Sequence, residues 1–281
     1  MKYIINYKKS YLILLAISLI FTLYQCQKFE RPALGDYVKD NQPPGGPLKF
    51  YAAFDGTTSD PLKNAVDSIR ANFAADNPLK SVAGVSGKAL QGEDGKAVKY
   101  SSANDIKNAT SCSISFWVNN VVNPNTELYF SLTNKDFWHN SGAFLLVEHA
   151  TKDSCTFKFA LLDHWIEYTD KSFKRPLFDG NWHHIAFTYN ETDSKLRVYF
   201  DGKEVPTPGT SGILKDGSNP LGKLNLKNSA SLVISGWNKH AGIDGPGDDW
   251  IKSFSGKMDQ FRLYGKTLSD AEVLALYNSK M

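Results

Sequence analysis

Apolar residues recur at every second position along most of the chain from Leu48 onward. The stretches LKFYAAF, CSISFWV, KLRVYF and QFRLYG each place their apolar side chains on alternate positions. A period of two is typical of strands that bury one face, whereas a helix repeats about every 3.6 residues. The pair Asp201 and Gly202 follows one such stretch and suits the positive φ angles of a tight hairpin turn. Many short strands joined in this way predict an all-β, two-sheet antiparallel sandwich.

Two segments have helical periodicity instead. Pro61–Ala74 spaces its apolar residues for one helical face, although an irregular insertion is the alternative. Leu268–Asn278 carries a stronger signal, because Ser269 is a good N-cap and Glu272, three residues later, completes a capping box. The sequence therefore predicts a short helix at the C-terminal end of the sandwich.

The first 25 residues follow a different pattern. Three lysines precede an uncharged run of 14 residues, Tyr11–Tyr24. The run is shorter than the roughly 20 apolar residues that a membrane-spanning helix needs. Positive charge followed by a short apolar run is the order of a secretory signal peptide. Residues 1–25 are accordingly predicted to be a signal peptide.

Cys26 ends the stretch LYQC, which resembles the lipobox of bacterial lipoproteins. The resemblance implies that Cys26 receives lipid and becomes the mature N-terminus, and the alternative is a secreted protein whose cysteine carries no lipid. Residues 26–47 include two glycines and three prolines between positions 43 and 47, which predicts a flexible tether. Either alternative takes the protein out of the cytoplasm. The lipidated form is expected in the cell envelope, anchored to the outer membrane and exposed at the surface.

Charge and cysteine content narrow the possible partners. The 32 basic residues fall to 29 once the three lysines before Cys26 are removed, which equals the 29 acidic residues. A neutral mature chain without a basic cluster excludes nucleic acid as a predicted partner, and only the N-terminal lipid is expected to contact a membrane. Cys112 and Cys155 remain in an oxidising compartment, where a disulfide bridge and two buried free thiols are both open alternatives.

The order of several blocks identifies a fold. FYAAFDG, GVSGKAL, SISFWV, DGNWHHIAFTYNETDSKLRVYFDGKEV, LVISGW and FSGKMDQFRLYGKTLSDAEVLALY follow one another along residues 48–281. Together they resemble the laminin-G-like, concanavalin A-like jelly roll of bacterial surface proteins. The resemblance implies two antiparallel sheets stacked face to face, with the first and last strands adjacent. It implies little about function, because this scaffold carries lectins, hydrolases and spacers.

Asp259 interrupts the apolar alternation of the last strand. By that alternation it shares a face with Phe261 and points toward the core, where an unpaired carboxylate is costly. If the first and last strands pair, Asp55 lies at the same end of the sheet, and Asp60 follows in the same loop. Calcium takes oxygen ligands of this kind, so Asp55, Asp60 and Asp259 are predicted to bind a structural calcium ion. The alternative is that Asp259 caps backbone N–H groups or pairs with a basic side chain.

Four of the six tryptophans are placed in or beside loops, next to polar residues. Sugar rings stack on aromatic planes, while their hydroxyls need hydrogen-bonding side chains at the rim. The alternative is that individual tryptophans cover junctions between loop and sheet. The predicted ligand-binding residues are Trp138, His139, His164, Trp165, Trp237, Asn238 and Trp250.

These features favour a non-catalytic carbohydrate-binding lipoprotein that captures a polysaccharide or oligosaccharide for a glycan uptake system. Its expected partners are a glycan and outer-membrane transport or enzyme components. One alternative is a protein-binding adhesin or a structural accessory of an outer-membrane complex. A glycoside hydrolase is a further alternative, but Glu148 and Glu167 each lack the second carboxylate nearby in sequence that such enzymes carry. No catalytic residue is therefore predicted.

Overall fold

Strands dominate the fold, as the alternating pattern predicts. The computed structural model describes residues 46–54, 78–134, 141–209, 212–243 and 248–280. All of these residues lie in the unit formed by residues 37–281. The described strands are β1 (Leu48–Ala52), β2 (Lys80–Ala83), β3 (Lys88–Gln91), β4 (Val98–Tyr100), β5 (Cys112–Val121), β6 (Thr126–Thr133), β7 (Ala143–Glu148), β8 (Cys155–Leu161), β9 (His164–Phe173), β10 (Asp179–Asn190), β11 (Lys195–Phe200), β12 (Lys203–Val205), β13 (Lys215–Asp216), β14 (Asn219–Pro220), β15 (Ser231–Ile234), β16 (Ile251–Ser253) and β17 (Lys257–Tyr264).

Within these ranges the strands form two sheets and a small ribbon. The first sheet has the order β12-β11-β10-β5-β17-β3-β2, with β1 also paired to β17. The second sheet has the order β4-β15-β6-β7-β8-β9, and β16 pairs with β6 in parallel. The other named pairings are antiparallel, and β13 pairs with β14 alone. The predicted fold class, a two-sheet antiparallel jelly roll, is confirmed.

The predicted connections also appear. β10 and β11 form an antiparallel hairpin, and β11 continues into β12 through Asp201 and Gly202, whose φ angles are 49° and 75°. β1 pairs antiparallel with β17, with Ala52 opposite Phe261. The first described strand and the last strand are therefore neighbours, as the family resemblance implies.

Phenylalanines from both sheets meet in the core. Phe116 of β5 stacks on Phe261 of β17 at 5.5 Å, and both meet Phe130 of β6 edge to face. Phe187 of β10 stacks on Phe159 of β8 at 3.8 Å. Each aromatic pair contributes about 0.5–1.5 kcal/mol beyond the burial of its area. These contacts hold the two sheets together face to face.

The face of the first sheet that points away from the second sheet is covered by helix α1 (Asp270–Asn278). The predicted capping box is present: the Ser269 hydroxyl accepts from the Glu272 N–H, and the Glu272 carboxylate accepts from the Ser269 N–H. Tyr277 stacks on the buried ring of Trp117 at 5.6 Å, and the Tyr199 hydroxyl donates to Asp270. The apolar cluster buried between the helix and the sheet consists of Leu48, Tyr51, Ala186, Tyr199, Tyr264 and Leu268, together with Val273 and Leu276 of the helix.

The remaining structural predictions have mixed outcomes. Cys112 in β5 and Cys155 in β8 are both buried free thiols, so the disulfide alternative is not what the structure shows. The helix predicted at Pro61–Ala74 lies outside the described residues. Two short 3₁₀ helices, Ile106–Asn108 and Asn238–Ala241, occur where no helix was expected.

Candidate functional site

Several predicted site residues cannot be placed. The proposed lipidation site, two of the three calcium ligands and one tryptophan-histidine pair lie outside the described residues. These are Cys26, Asp55, Asp60, Trp138 and His139. The predictions made for them stay predictions, and the described site is built from the others.

Asp259 does not share a face with Phe261, so the prediction from simple alternation is wrong. The register of β17 against β5 shifts between Asp259 and Arg262, and Gln260 has a φ of 49°. Such a shift is a β-bulge, which inserts one residue and reverses the facing of those before it. Met258 and Phe261 therefore both reach the core, whereas Asp259 is paired with Trp117 on the helix side of the sheet.

The Asp259 carboxylate is nevertheless fully buried, because the turn between β2 and β3 covers it. One carboxylate oxygen, Oδ2, accepts from the N–H of Val85 at 2.8 Å and of Ser86 at 3.4 Å. Gly84 permits this approach, since a Cβ at that position would lie 2.4 Å from the same oxygen. This arrangement matches the capping alternative. Within the part of the chain that the structure describes, no group of three or more Asp, Glu, His or Cys residues could hold a metal ion.

The adjacent histidines of β10 have separate structural roles. His183 stacks on Phe200 and is held between two carboxylates, with its ring nitrogens 2.9 Å from Asp201 and 3.0 Å from Asp179. Burial disfavours the charged ring, but hydrogen bonds to Asp201 and Asp179 outweigh it and raise the pKa of His183. His184 lies on the opposite face, 2.8 Å from the Ser115 hydroxyl, and burial lowers its pKa to about 3.

Trp237 and Asn238 are fully buried. Trp237 packs against Leu128, Phe144 and Ile251 on the outer face of the second sheet, the face that points away from the first sheet. Its ring offers no exposed surface for stacking on a sugar, which matches the alternative that it covers a junction. The Asn238 amide donates to the Asn134 carbonyl oxygen at 2.7 Å. Asn238 therefore positions Asn134 instead of presenting its own side chain.

Trp165 lies on the same outer face and is partly buried, with part of its ring still exposed. It is opposite Ala160 of β8 and meets Phe144 of β7 edge to face at 4.9 Å. The residues around Trp237 cover the part of this face near β6, and β8 is buried except for the partly exposed Lys158, whereas β9 at the edge of the sheet keeps Trp165 partly exposed and Glu167 exposed. An aromatic ring on a rigid strand is thus available to a ligand.

Three charged residues form a row beside Trp165. Lys158 of β8 is 2.7 Å from Glu148 of β7 and 3.8 Å from Glu167 of β9. Glu167 follows Trp165 by two positions along β9 and lies opposite Lys158. The two glutamates, isolated in sequence, are therefore brought to one lysine by neighbouring strands.

A polar cavity of about 260 Å³ opens at the turn that precedes Trp165. Leu162 and Asp163 form this turn between β8 and β9, with φ angles of 49° and 64°, and His164 begins the next strand. The cavity is lined by Asn134, Leu162, Asp163, Asn225 and Asn228. We name it the asparagine cavity. Its amide and carboxylate groups provide both donors and acceptors within a few residues of an aromatic ring.

Trp250 lies beside a different cavity from the one near Trp165. It is 54% exposed and lies beside a cavity whose lining includes Asp94, Lys239, His240 and Asp249. Burial lowers the pKa of His240 to about 4, and Lys239 forms an ion pair with Asp249. The structure therefore separates Trp250 from the surroundings of Trp165.

Sequence reasoning missed the three asparagines and Phe144. Asn225 and Asn228 sit in the stretch LNLKN, and asparagine is also an ordinary turn residue, so their sequence carries no ligand signal. Their meeting with Asn134 depends on loops almost a hundred residues apart. The pairing of β15 with β6 and the hydrogen bond from the Ala230 N–H to the Thr133 carbonyl bring the two loops together.

Two opposed antiparallel sheets and a capped terminal helix define a jelly-roll sandwich of the concanavalin A type. The sequence profile of the concanavalin A-like lectin/glucanases superfamily, in its laminin G form, matches residues 92–274. The chain belongs to this superfamily.

Two curated relatives share a sequence segment with this chain. Sushi, von Willebrand factor type A, EGF and pentraxin domain-containing protein 1 of Mus musculus is 30% identical over 141 residues, or 47% of this chain. The Rattus norvegicus protein of that name is 29% identical over 171 residues, or 58% of this chain. The chain matches 4% of the length of each relative. These matches concern one module of much larger proteins.

Solved structures share the fold. Domain 4 of AbnA, a GH43 extracellular arabinanase from Geobacillus stearothermophilus in complex with arabinotriose, has a TM-score of 0.53 at 18% identity, covering 82% of this chain and 98% of that chain. The binding domain of Paraclostridial Mosquitocidal Protein 1 has a TM-score of 0.52 at 14% identity, covering 83% and 52%. Trypanosoma rangeli sialidase in complex with sialic acid has a TM-score of 0.51 at 14% identity, covering 83% and 33%.

Replacing Asp259 with Ala tests the role of its carboxylate. We expect the free energy of unfolding to fall by about 3 kcal/mol, because the N–H groups of Val85 and Ser86 lose their buried acceptor. Asp259→Asn keeps one acceptor oxygen and should cost less. Urea unfolding followed by circular dichroism gives the values. Asp153→Ala, in an exposed loop, is the control and should change the value by less than about 0.5 kcal/mol. An equally small effect of Asp259→Ala would contradict this role.

Proposed function

We propose that the protein is a non-catalytic carbohydrate-binding protein whose ligand contacts Trp165 and the asparagine cavity. The observation that carries this proposal is a partly buried tryptophan on an edge strand, two residues after an aspartate that lines a polar cavity. Stacking on Trp165 would cover the apolar face of a sugar ring. Asn134, Asn225 and Asn228 would replace water at the sugar hydroxyls.

Comparison with known proteins supports the same ligand class. The arabinanase domain was solved with arabinotriose and the sialidase with sialic acid, and both share the fold at low sequence identity. The fold by itself does not specify a ligand. Support for this chain therefore rests on its own aromatic and polar residues.

The binding role extends to capture of glycan at the cell surface for an uptake system, with an outer-membrane transporter or enzyme as partner. The predicted signal peptide and the predicted lipid at Cys26 support this extension. A protein-binding adhesin is the second candidate, favoured by the exposed apolar side chains Val121 and Val122 at the end of β5. A glycan array separates the two, because the adhesin would retain no glycan.

Trp165→Ala is expected to weaken glycan binding at least roughly tenfold, since a central aromatic contact contributes about 2 kcal/mol. The dissociation constant is measured by titration calorimetry with the glycan that a neutral and acidic glycan array identifies. Trp165→Phe keeps an aromatic ring and should retain part of the affinity. Thermal melts of both variants confirm that they fold.

Trp250→Ala is the matched control, because Trp250 is exposed beside a different cavity. It should leave the dissociation constant within about twofold of the unaltered protein. A loss in Trp250→Ala with none in Trp165→Ala would move the site to the loop around Trp250. No retention of any glycan would contradict carbohydrate binding itself.

A structural calcium ion at Asp259 is a separate part of the proposal. The described residues supply one carboxylate there, whereas calcium takes six to eight oxygen ligands, so Asp55, Asp60, carbonyls and water would have to complete the site. The pairing of β1 with β17 supports this, because the chain leaves β1 at the end of the sheet where β17 begins.

Calcium is expected to raise the melting temperature by roughly 5 °C over that measured with EDTA, because a ligand held only by the native state stabilises it. Differential scanning calorimetry measures the shift. Asp259→Asn should abolish it, while magnesium should not replace calcium. A melting temperature that is the same in calcium and in EDTA would leave Asp259 with its capping role alone.

Lipid attachment at Cys26 is expected to place the protein in the membrane fraction. None of the helices in the described ranges has the length and apolar character to cross a bilayer. Expressed from the full gene in a Gram-negative host, the protein should incorporate labelled palmitate and resist extraction by salt. Cys26→Ser should remove both properties, and Cys112→Ser is the control. Unchanged labelling of Cys26→Ser would contradict the lipoprotein assignment.

A further inference from the structure

A second cavity, of about 240 Å³, lies at the same end of the sandwich. Its walls are the segment Ser101–Asn104 after β4, the 3₁₀ helix with Lys107, Leu132 near the end of β6, and the segment Ser229–Ser231, which leads into β15. Half of these residues are serine or asparagine. We name it the serine cavity.

Residues adjacent in sequence line the two cavities. Asn228 lines the asparagine cavity, and the next residue, Ser229, lines the serine cavity. The end of β6 supplies Leu132 to one and Asn134 to the other. The two cavities are therefore neighbours, one on each side of the ridge formed by Asn228 and Ser229.

Hydrogen bonds hold this ridge in place. The Ser229 N–H donates to the Leu226 carbonyl at 3.0 Å, and the Ala230 N–H donates to the Thr133 carbonyl at 2.7 Å. The hydroxyls of Ser231 and Thr133 are 2.9 Å apart. Because the ridge is tied to β6 and carries a tight turn, the shape of both cavities is set before a ligand arrives, which lowers the entropic cost of binding.

Cavity size indicates how much ligand each holds. Pockets that bind a drug-sized molecule measure about 300–1,000 Å³. Neither cavity reaches that range by itself, whereas the two together do. We propose that they are adjacent subsites for consecutive units of one oligosaccharide chain, an inference that rests on the proposed carbohydrate-binding function.

The lining indicates a neutral sugar chain. Hydroxyl and amide groups both donate and accept, as sugar hydroxyls do. Each cavity has one charged lining residue, Lys107 in the serine cavity and Asp163 in the asparagine cavity. Their opposite signs give no common preference for an acidic or a basic chain. The ligand class is therefore a neutral oligosaccharide of at least two units.

Chain length provides the test. The full protein is titrated with arabino-, xylo-, manno- and gluco-oligosaccharides of one to six units. For the sugar series that binds, affinity should rise roughly tenfold between one and three units, as a second subsite fills, and then level off. Ser101→Trp and Ala230→Trp, both at exposed positions that line the serine cavity, should remove this gain and leave the affinity for the single unit unchanged.

Asn108→Trp is the control, since Asn108 is exposed on the 3₁₀ helix but does not line the cavity. Equal affinity for one and six units, a gain that survives in Ser101→Trp and Ala230→Trp, or an equal loss in Asn108→Trp would overturn the second subsite while leaving carbohydrate binding intact. Failure of every oligosaccharide to bind would overturn both proposals together.

Discussion

The pairing of the last strand is the constraint on which the rest of the fold depends. β17 pairs with β5 along one edge, and along the other it pairs first with β3 and then with β1. The bulge at Asp259 and Gln260 separates these two partners. The Asp259 carboxylate accepts hydrogen bonds from the turn between β2 and β3 and so holds that turn over the bulge. One buried acceptor thus lies where β17 meets β5, β3 and β1. Without this acceptor, the region where β1 and β17 pair would be less stable.

The pairing of β17 also determines which outer surfaces of the two sheets remain open to a ligand. The chain leaves β17 on the outer face of the first sheet, where helix α1 buries Tyr199 and Tyr264 and occupies the surface. On the second sheet, Trp237 covers the outer face beside β6, but nothing among the described residues covers Trp165 to the same extent. The candidate site therefore lies at β8 and β9, with its cavity formed by the turn between them.

Local patterns predicted the strands, the hairpin at Asp201 and the capped helix, because each depends on residues close in sequence. The bulge was not predictable, since alternation assumes that no residue is inserted, and it reversed the facing of Asp259. The tryptophans show the same limit. Trp165 and Trp237 look alike in sequence, and only the path of the chain after β15 determines that Trp237 is fully buried while Trp165 stays partly exposed. A local sequence pattern also cannot predict that side chains from different strands, such as Glu148 and Glu167, come close together.

The placement of those glutamates bears on the choice between binding and catalysis. A glycoside hydrolase needs two carboxylates facing the scissile bond from opposite sides, about 5 to 10 Å apart. Glu148 is almost buried and pairs with Lys158 at 2.7 Å, so its carboxylate is directed along the sheet and not toward a ligand. Glu167 alone remains exposed in this row. In this row Glu167 is therefore the carboxylate that the proposed ligand could reach beside the ring of Trp165.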